Sequence, residues 1–315
     1  MRAPHRLWAA LLGAATAALT IHPFYETDVY WHLALGRAVL RQHARVVAEP
    51  MALNWAGTTC VASEWLWEAL ASLLHRTPGA FGPLAALTAL CGVASAALVV
   101  ALCVASWRDD DEAPATAAVV LSTSLALSLV LSRLRLRPES AVMVILPGFA
   151  LLALRHARAL EAREPRAWRY AAALVALEVL WAQVHPTFVL GAVVWGAVAL
   201  PTLASTLRSR EDGARDTQRQ LLVVGLALAL ALTTSAHGLS IVSQWRAHAR
   251  GDAVRHIGDM QSPPADYFDP RKTTYGAFFA AMACLGAVGM VAARRVFVRE
   301  ALLALPGLAL AATAV

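Results

Sequence analysis

Carboxylates and imidazoles are sparse in this chain, and those with chemical potential gather at a few places. Asp28 and His32 stand four residues apart in Glu26-Thr27-Asp28-Val29-Tyr30-Trp31-His32, so a helix there puts both on one side. A carboxylate so placed suits a general base or an oxygen ligand for a divalent metal, and its plain structural alternative is a helix cap. Glu64, Glu68, Ser72 and His75 follow at helical spacing, where the simplest expectation is the solvated side of an amphipathic helix. Arg133, Arg135 and Arg137 alternate just before Pro138. Their planar forks match phosphate bidentately, while snorkelling to lipid headgroups is the competing role. Glu178 lies deep in an apolar run, seven residues before His185, and an ionisable group there is a functional candidate. His185 precedes Pro186 at a turn, where it either lines a cavity or simply serves the turn. Asp259, Asp266 and Asp269 occupy a proline-rich segment that could fold over a substrate, although solvated loop acids would look the same.

The elements that must position these groups are set by composition. The chain is 58 % apolar and 15 % charged, with a mean hydropathy of +0.55. Soluble domains average about 45–50 % apolar and about 25 % charged, so the solvent this sequence expects is lipid. About 20 apolar residues cross a bilayer as a helix. Such runs lie near 7–24, 80–106, 115–132, 139–154, 170–184, 187–207, 220–236, 273–293 and 300–315. The expected fold is therefore all-α and polytopic, with about eight or nine transmembrane helices in a single domain over residues 1–315. The first run alternatively reads as a signal peptide with Ala15-Thr16-Ala17 as its processing site. The chain stops inside an apolar run at Ala311–Val315, as either a fragment or a last helix ending flush with the membrane would.

With the N-terminus on the cytoplasmic side, more than half of the 27 basic residues fall in short inner loops, as the positive-inside rule requires. Two long outer segments result, about 25–79 and 237–272. In the first, Trp31, Ala34, Leu35, Ala38 and Val39 share one helical face, and His32, Gly36, Arg37 and Arg41 another. That pattern predicts an interfacial helix from about Tyr30. A second is predicted from Ser63 or Ala62, with Trp65, Leu66, Ala69, Leu70 and Leu73 opposite the acids. The pI near 9.6 comes from dispersed arginines rather than one patch, so no nucleic-acid partner is expected. Cys60, Cys91, Cys103 and Cys284 form no CxxC pair. No Walker, dinucleotide-binding or nucleophile-elbow motif supports ATP, nicotinamide or esterase chemistry.

Three groups of residues carry a family likeness. The first is Asp28-Val29-Tyr30-Trp31-His32-Leu33 with Gly36, Pro50 and Glu64-Trp65-Leu66. The second is Arg137-Pro138-Glu139, then Leu180-Trp181-Ala182-Gln183-Val184-His185 with Gly191. The third is His237-Gly238-Leu239 with Ile257-Gly258-Asp259-Met260-Gln261-Ser262-Pro263-Pro264. In order and spacing they resemble a family of bacterial polytopic proteins related to GT-C class glycosyltransferases, which take sugars from polyprenyl-phosphate donors. The likeness spans about residues 20 to 270. It departs from the pattern at Ser235-Ala236-His237, at Asp259-Met260 and at Gln183. The resemblance implies an acidic catalytic residue just beyond the first span, Asp28 with Glu26 as its competitor, acting either as the base or as a ligand for a divalent ion (Mg or Mn). The substrate contacts it covers are His32, Glu64, Arg137, His185, His237 and Asp259, while Arg133 and Arg135 are phosphate-binding candidates from their residue type and spacing alone. The implied partners are a polyprenyl-phosphate sugar and membrane lipid, at the outer face of a bacterial inner membrane. A transporter or lipid flippase using Glu178 and His185 is the rival expectation, and a non-catalytic envelope-assembly protein a third.

Overall fold

The computed structural model describes residues 28–48, 50–51, 58–79, 81–106, 136–208 and 213–243, with scattered positions between 7 and 18. The apolar runs near 115–132, 273–293 and 300–315 lie outside the described residues, as do Glu26, Arg133, Arg135 and Asp259. The rest is mostly helical, with one small hairpin. In order, the elements are α1 (Asp28–Gln42), β1 (Val46–Ala48), β2 (Thr59–Val61), α2 (Trp65–His75) and α3 (Phe81–Ser106). Then come α4 (Glu139–Glu161), α5 (Ala167–Val184), a 3-10 turn (Pro186–Phe188), α6 (Val189–Arg208) and α7 (Ala214–Leu232).

Among the described residues, three segments are long and apolar enough to cross a membrane: Phe81–Leu102 in α3, Glu139–Glu161, and Pro186–Arg208 through α6. The runs near 170–184 and 220–236 are also helical, as α5 and α7. Arg169 and Glu178 dilute the first, and the opening turns of α7 carry Arg215, Asp216 and Arg219. α4 is central, packing against α3, α5 and α6, while α7 lies on α5 and α6. Phe149 and Trp181 meet edge-to-face at 6.1 Å in the core, and Phe188, Leu174, Val198 and Leu228 fill the space around them. Outward, α7 exposes Leu222, Leu226 and Leu230 at four-residue spacing, a stripe of the kind lipid would cover.

Local breaks set where the helices end. Pro186 disfavours helical backbone at the residue before it, and His185 is extended there (φ −161°), so α5 stops. Pro138 opens α4 in the tolerated first turn. These breaks bring the start of α4, the α5–α6 turn and the end of α7 to the same end of the bundle as α1, the hairpin and α2. Gln183 and Thr234 hydrogen-bond there, and both reach the 45–65 region. The hairpin pairs Val46 with Val61 and Ala48 with Thr59, burying Val47 among Leu35, Val39 and Ala62.

Two sequence expectations are overturned here. Glu68 and Ser72 are buried rather than solvated, while Leu70 and Leu73 opposite them are exposed. On α1, His32 and Gly36 are also buried, and only Arg37 and Arg41 of their expected face stay outside. The His32–Gly36 side of α1 packs on the Glu68–Ser72 side of α2, while the apolar Val29, Leu33, Leu35, Ala38 and Val39 of α1 are buried as well and its exposed positions include Asp28, Arg37 and Arg41. Nor does Ser63 cap α2, which begins at Trp65 with no side-chain cap; the Ser63 hydroxyl is used elsewhere.

Gly36 makes the α1–α2 contact possible. A Cβ there would overlap the Glu68 carbonyl and come within 3.0 Å of the Ser72 Cβ. Neither the backbone nor the buried Ser72 has room to yield. Gly36→Ala should therefore cost about 1–3 kcal/mol by overpacking. A lower thermal midpoint of the purified protein in detergent is the expected result, and an unchanged midpoint would refute this contact.

Candidate functional site

α1 projects Asp28 from its first turn and His32 one turn later, both toward the bundle. An acid at a helix start is favoured by the dipole. Arg137, just before α4, places one guanidinium nitrogen 2.6 Å from Asp28 Oδ2. The pair is asymmetric in exposure, since Arg137 is mostly enclosed while Asp28 is half exposed. Asp28 thus stands at the mouth of the site with its charge met by the bundle.

Behind it lies a cluster of acids and imidazoles. His32 Nδ1 is 3.3 Å from Glu68 Oε1 and 3.6 Å from Glu64 Oε2. The other oxygen of Glu64, Oε1, is 3.4 Å from His185 Nε2. His185 is held by its own turn: Nδ1 accepts from the Thr187 backbone N–H at 3.2 Å and lies 2.9 Å from the Thr187 hydroxyl. Because Nδ1 accepts, the proton of the neutral ring sits on Nε2 and points at Glu64.

A further layer locks these elements together. Trp65 Nε1 donates to Gln183 Oε1 at 2.9 Å, and Gln183 Nε2 donates to the Thr234 carbonyl at 2.9 Å. Arg45 donates to the same carbonyl and lies over the Trp65 ring at 4.9 Å. Ser63 Oγ is 2.9 Å from His237 Nε2.

Burial governs the charges. Glu64 is pushed well above the ordinary carboxylate range by desolvation, helped by Glu139 and Glu68 and opposed by Arg137. Glu68 is raised by burial, with the His32 hydrogen bond working against it. Burial lowers His185 to about 4, so its ring is neutral near neutral pH, and it lowers His237 as well.

Of the residues expected from sequence, Asp28, His32, Glu64, Arg137 and His185 converge, and His237 lies beside them through Ser63. Glu26, Arg133, Arg135 and Asp259 lie outside the described residues. Glu178 is fully buried away from the cluster, packed against Gly191, and its oxygens have no hydrogen-bond partner among the described residues. The sequence reading did not single out Glu68 as a site residue, nor Glu139, Ser63 and Gln183. Glu68 is one helical turn from Glu64, and that spacing was the available signal. His32, Glu64 and Glu68 form the set among the described residues whose ligand atoms all lie within 4.8 Å of one another. They are the residues that could hold a metal ion. No family model, no curated protein and no solved structure matches this chain.

The raised Glu64 has a consequence for stability. Its folded form binds a proton at pH values where the unfolded carboxyl, near 4.5, has already lost it. Its contribution is thus present below the unfolded value and is lost as pH rises through the folded one. Glu64→Gln, which cannot ionise, should melt above wild type at about pH 8 in chelator, with a gain that shrinks toward about pH 4.5. A gain independent of pH, or none at all, would contradict the burial argument.

Proposed function

We propose that this protein is a GT-C-like membrane glycosyltransferase, moving a sugar from a polyprenyl-phosphate donor to an acceptor at the outer face of a bacterial inner membrane. The observation that carries the reading is the Asp28–Arg137 pair at the mouth of a buried acid–histidine cluster. An arriving phosphate competes with Asp28 for the Arg137 fork, which is suited to phosphate oxygens. Binding of the donor then releases the Asp28 carboxylate beside it.

In the transfer, the bond from the anomeric carbon to the phosphate oxygen breaks as the acceptor oxygen bonds to that carbon. The electron pair leaves with the lipid phosphate, whose charge Arg137 compensates. The acceptor proton passes to a carboxylate within hydrogen-bond reach. Asp28 is the residue at the mouth for this role. Glu26 and Asp259, expected from the resemblance to join the site, keep their proposed roles as competing base and part of the loop that closes over substrate.

A transporter or flippase is the second reading, favoured by the fully buried Glu178 carboxyl, which packs against Gly191 and has no hydrogen-bond partner among the described residues. The two readings separate in a strain lacking the gene, complemented with each variant at matched protein level and scored for envelope glycans and lipid-linked sugars. Asp28→Asn and Arg137→Ala should each abolish one glycan species and leave its lipid-linked precursor to accumulate, while Glu178→Gln preserves the product. Unchanged glycans in both Asp28→Asn and Arg137→Ala would overturn the transferase, and loss confined to Glu178→Gln would favour transport.

A further inference from the structure

We infer that His32 Nδ1, Glu64 and Glu68 form a three-ligand site for one divalent first-row transition-metal ion, with His185 as the residue that orients Glu64. The inference rests on the donor set and its geometry, not on the transferase reading.

The chemistry of the donors comes first. One imidazole and two carboxylates suit the manganese-to-zinc range better than magnesium, which prefers all-oxygen shells and keeps its waters. At metal–ligand bonds of about 2.0–2.1 Å, the edges of a tetrahedron are about 3.3–3.4 Å. The His32–Glu68 separation is 3.3 Å and the His32–Glu64 separation is 3.6 Å, so two edges are already close to that value. All three ligand atoms lie within 4.8 Å of one another.

A second observation points to a cation. Glu68 is only 1 % exposed, and its Oε2 has no hydrogen-bond partner among the described residues. Glu64 reaches the same His32 nitrogen, so both carboxylates face one point inside the fold. The described groups facing them are His32, His185, Arg137 and Glu139, of which Arg137 is already paired with Asp28. A dication bound to His32, Glu64 and Glu68 neutralises both carboxylates at once.

The surroundings resemble an outer shell. His185 Nδ1 accepts from the Thr187 backbone, so its Nε2–H is turned to Glu64 Oε1 at 3.4 Å, leaving Oε2 toward His32. Such partners fix a ligand's orientation and support affinity. Three protein ligands leave a coordination position open, as in catalytic rather than structural sites.

The test uses the full chain purified in detergent, stripped with EDTA and titrated with Co²⁺ as the spectroscopic probe, then with Zn²⁺ in competition. One equivalent of Co²⁺ should bind with visible d–d absorption that Zn²⁺ abolishes. His32→Gln and Glu68→Gln should each weaken binding more than about tenfold, His185→Ala by about 10-fold, and Asp28→Asn should leave it unchanged. The near-isosteric Glu68→Gln serves as the deciding variant if His32→Gln does not give monodisperse protein. Absence of stoichiometric Co²⁺ binding, or wild-type binding by Glu68→Gln, overturns the site. So does binding lost in Asp28→Asn alone, which would move the metal to the mouth.

Discussion

Glu68 is a carboxyl almost wholly buried, and it must be partnered within the fold. Its partner is His32, and the two can meet only because Gly36 lets α1 sit on the α2 backbone at the Glu68 carbonyl. The polar faces of α1 and α2 are thereby turned toward each other, which puts Glu64 over the α5–α6 turn. Arg137 and His185 then complete the charge pattern from the bundle side. Remove the close approach at Gly36 and the acids have no route inward.

The bundle contributes rigid positions rather than flexible ones. Arg137 and Glu139 flank Pro138 at the start of α4, His185 and Thr187 flank Pro186 between α5 and α6, and Gln183 lies in the last turn of α5. Prolines at the breaks fix where each helix stops, so each polar group emerges at a defined level. The Trp65–Gln183–Thr234 chain then ties α2, α5 and the end of α7 into one support. A site held by four elements in this way is preorganised, which is what charge stabilisation in a water-poor setting requires.

Much of this framework was legible in the sequence, for identifiable reasons. Apolar runs of membrane length forecast α3, α4 and α6 because lipid leaves a helix few alternatives, and the runs for α5 and α7 were visible despite their charges. That Arg137, His185 and His237 belong at the same end as α1 and α2 followed from counting spans. The orientation of the two short helices did not follow, because the usual rule places charge toward water. Here Glu68 and Ser72 turn inward and Leu70 and Leu73 outward. The His32–Glu68 contact joins residues 36 positions apart, and no local pattern encodes that register. Nor did the hairpin declare itself, since strands of three residues, Val46–Ala48 and Thr59–Val61, are too short for a period to be read.

The central claim is that the first loop docks on the bundle end, bringing groups more than 100 residues apart into one charged site. A charge-swap cycle on Asp28 and Arg137 tests it most directly, with thermal stability in detergent as the readout. Asp28→Arg and Arg137→Asp should each lower the midpoint by setting like charges against each other. The double variant should recover much of the loss, giving a coupling of about 0.5–3 kcal/mol. Strictly additive losses in the double variant would show that the two residues do not meet, and the convergence of loop and bundle would fall with them.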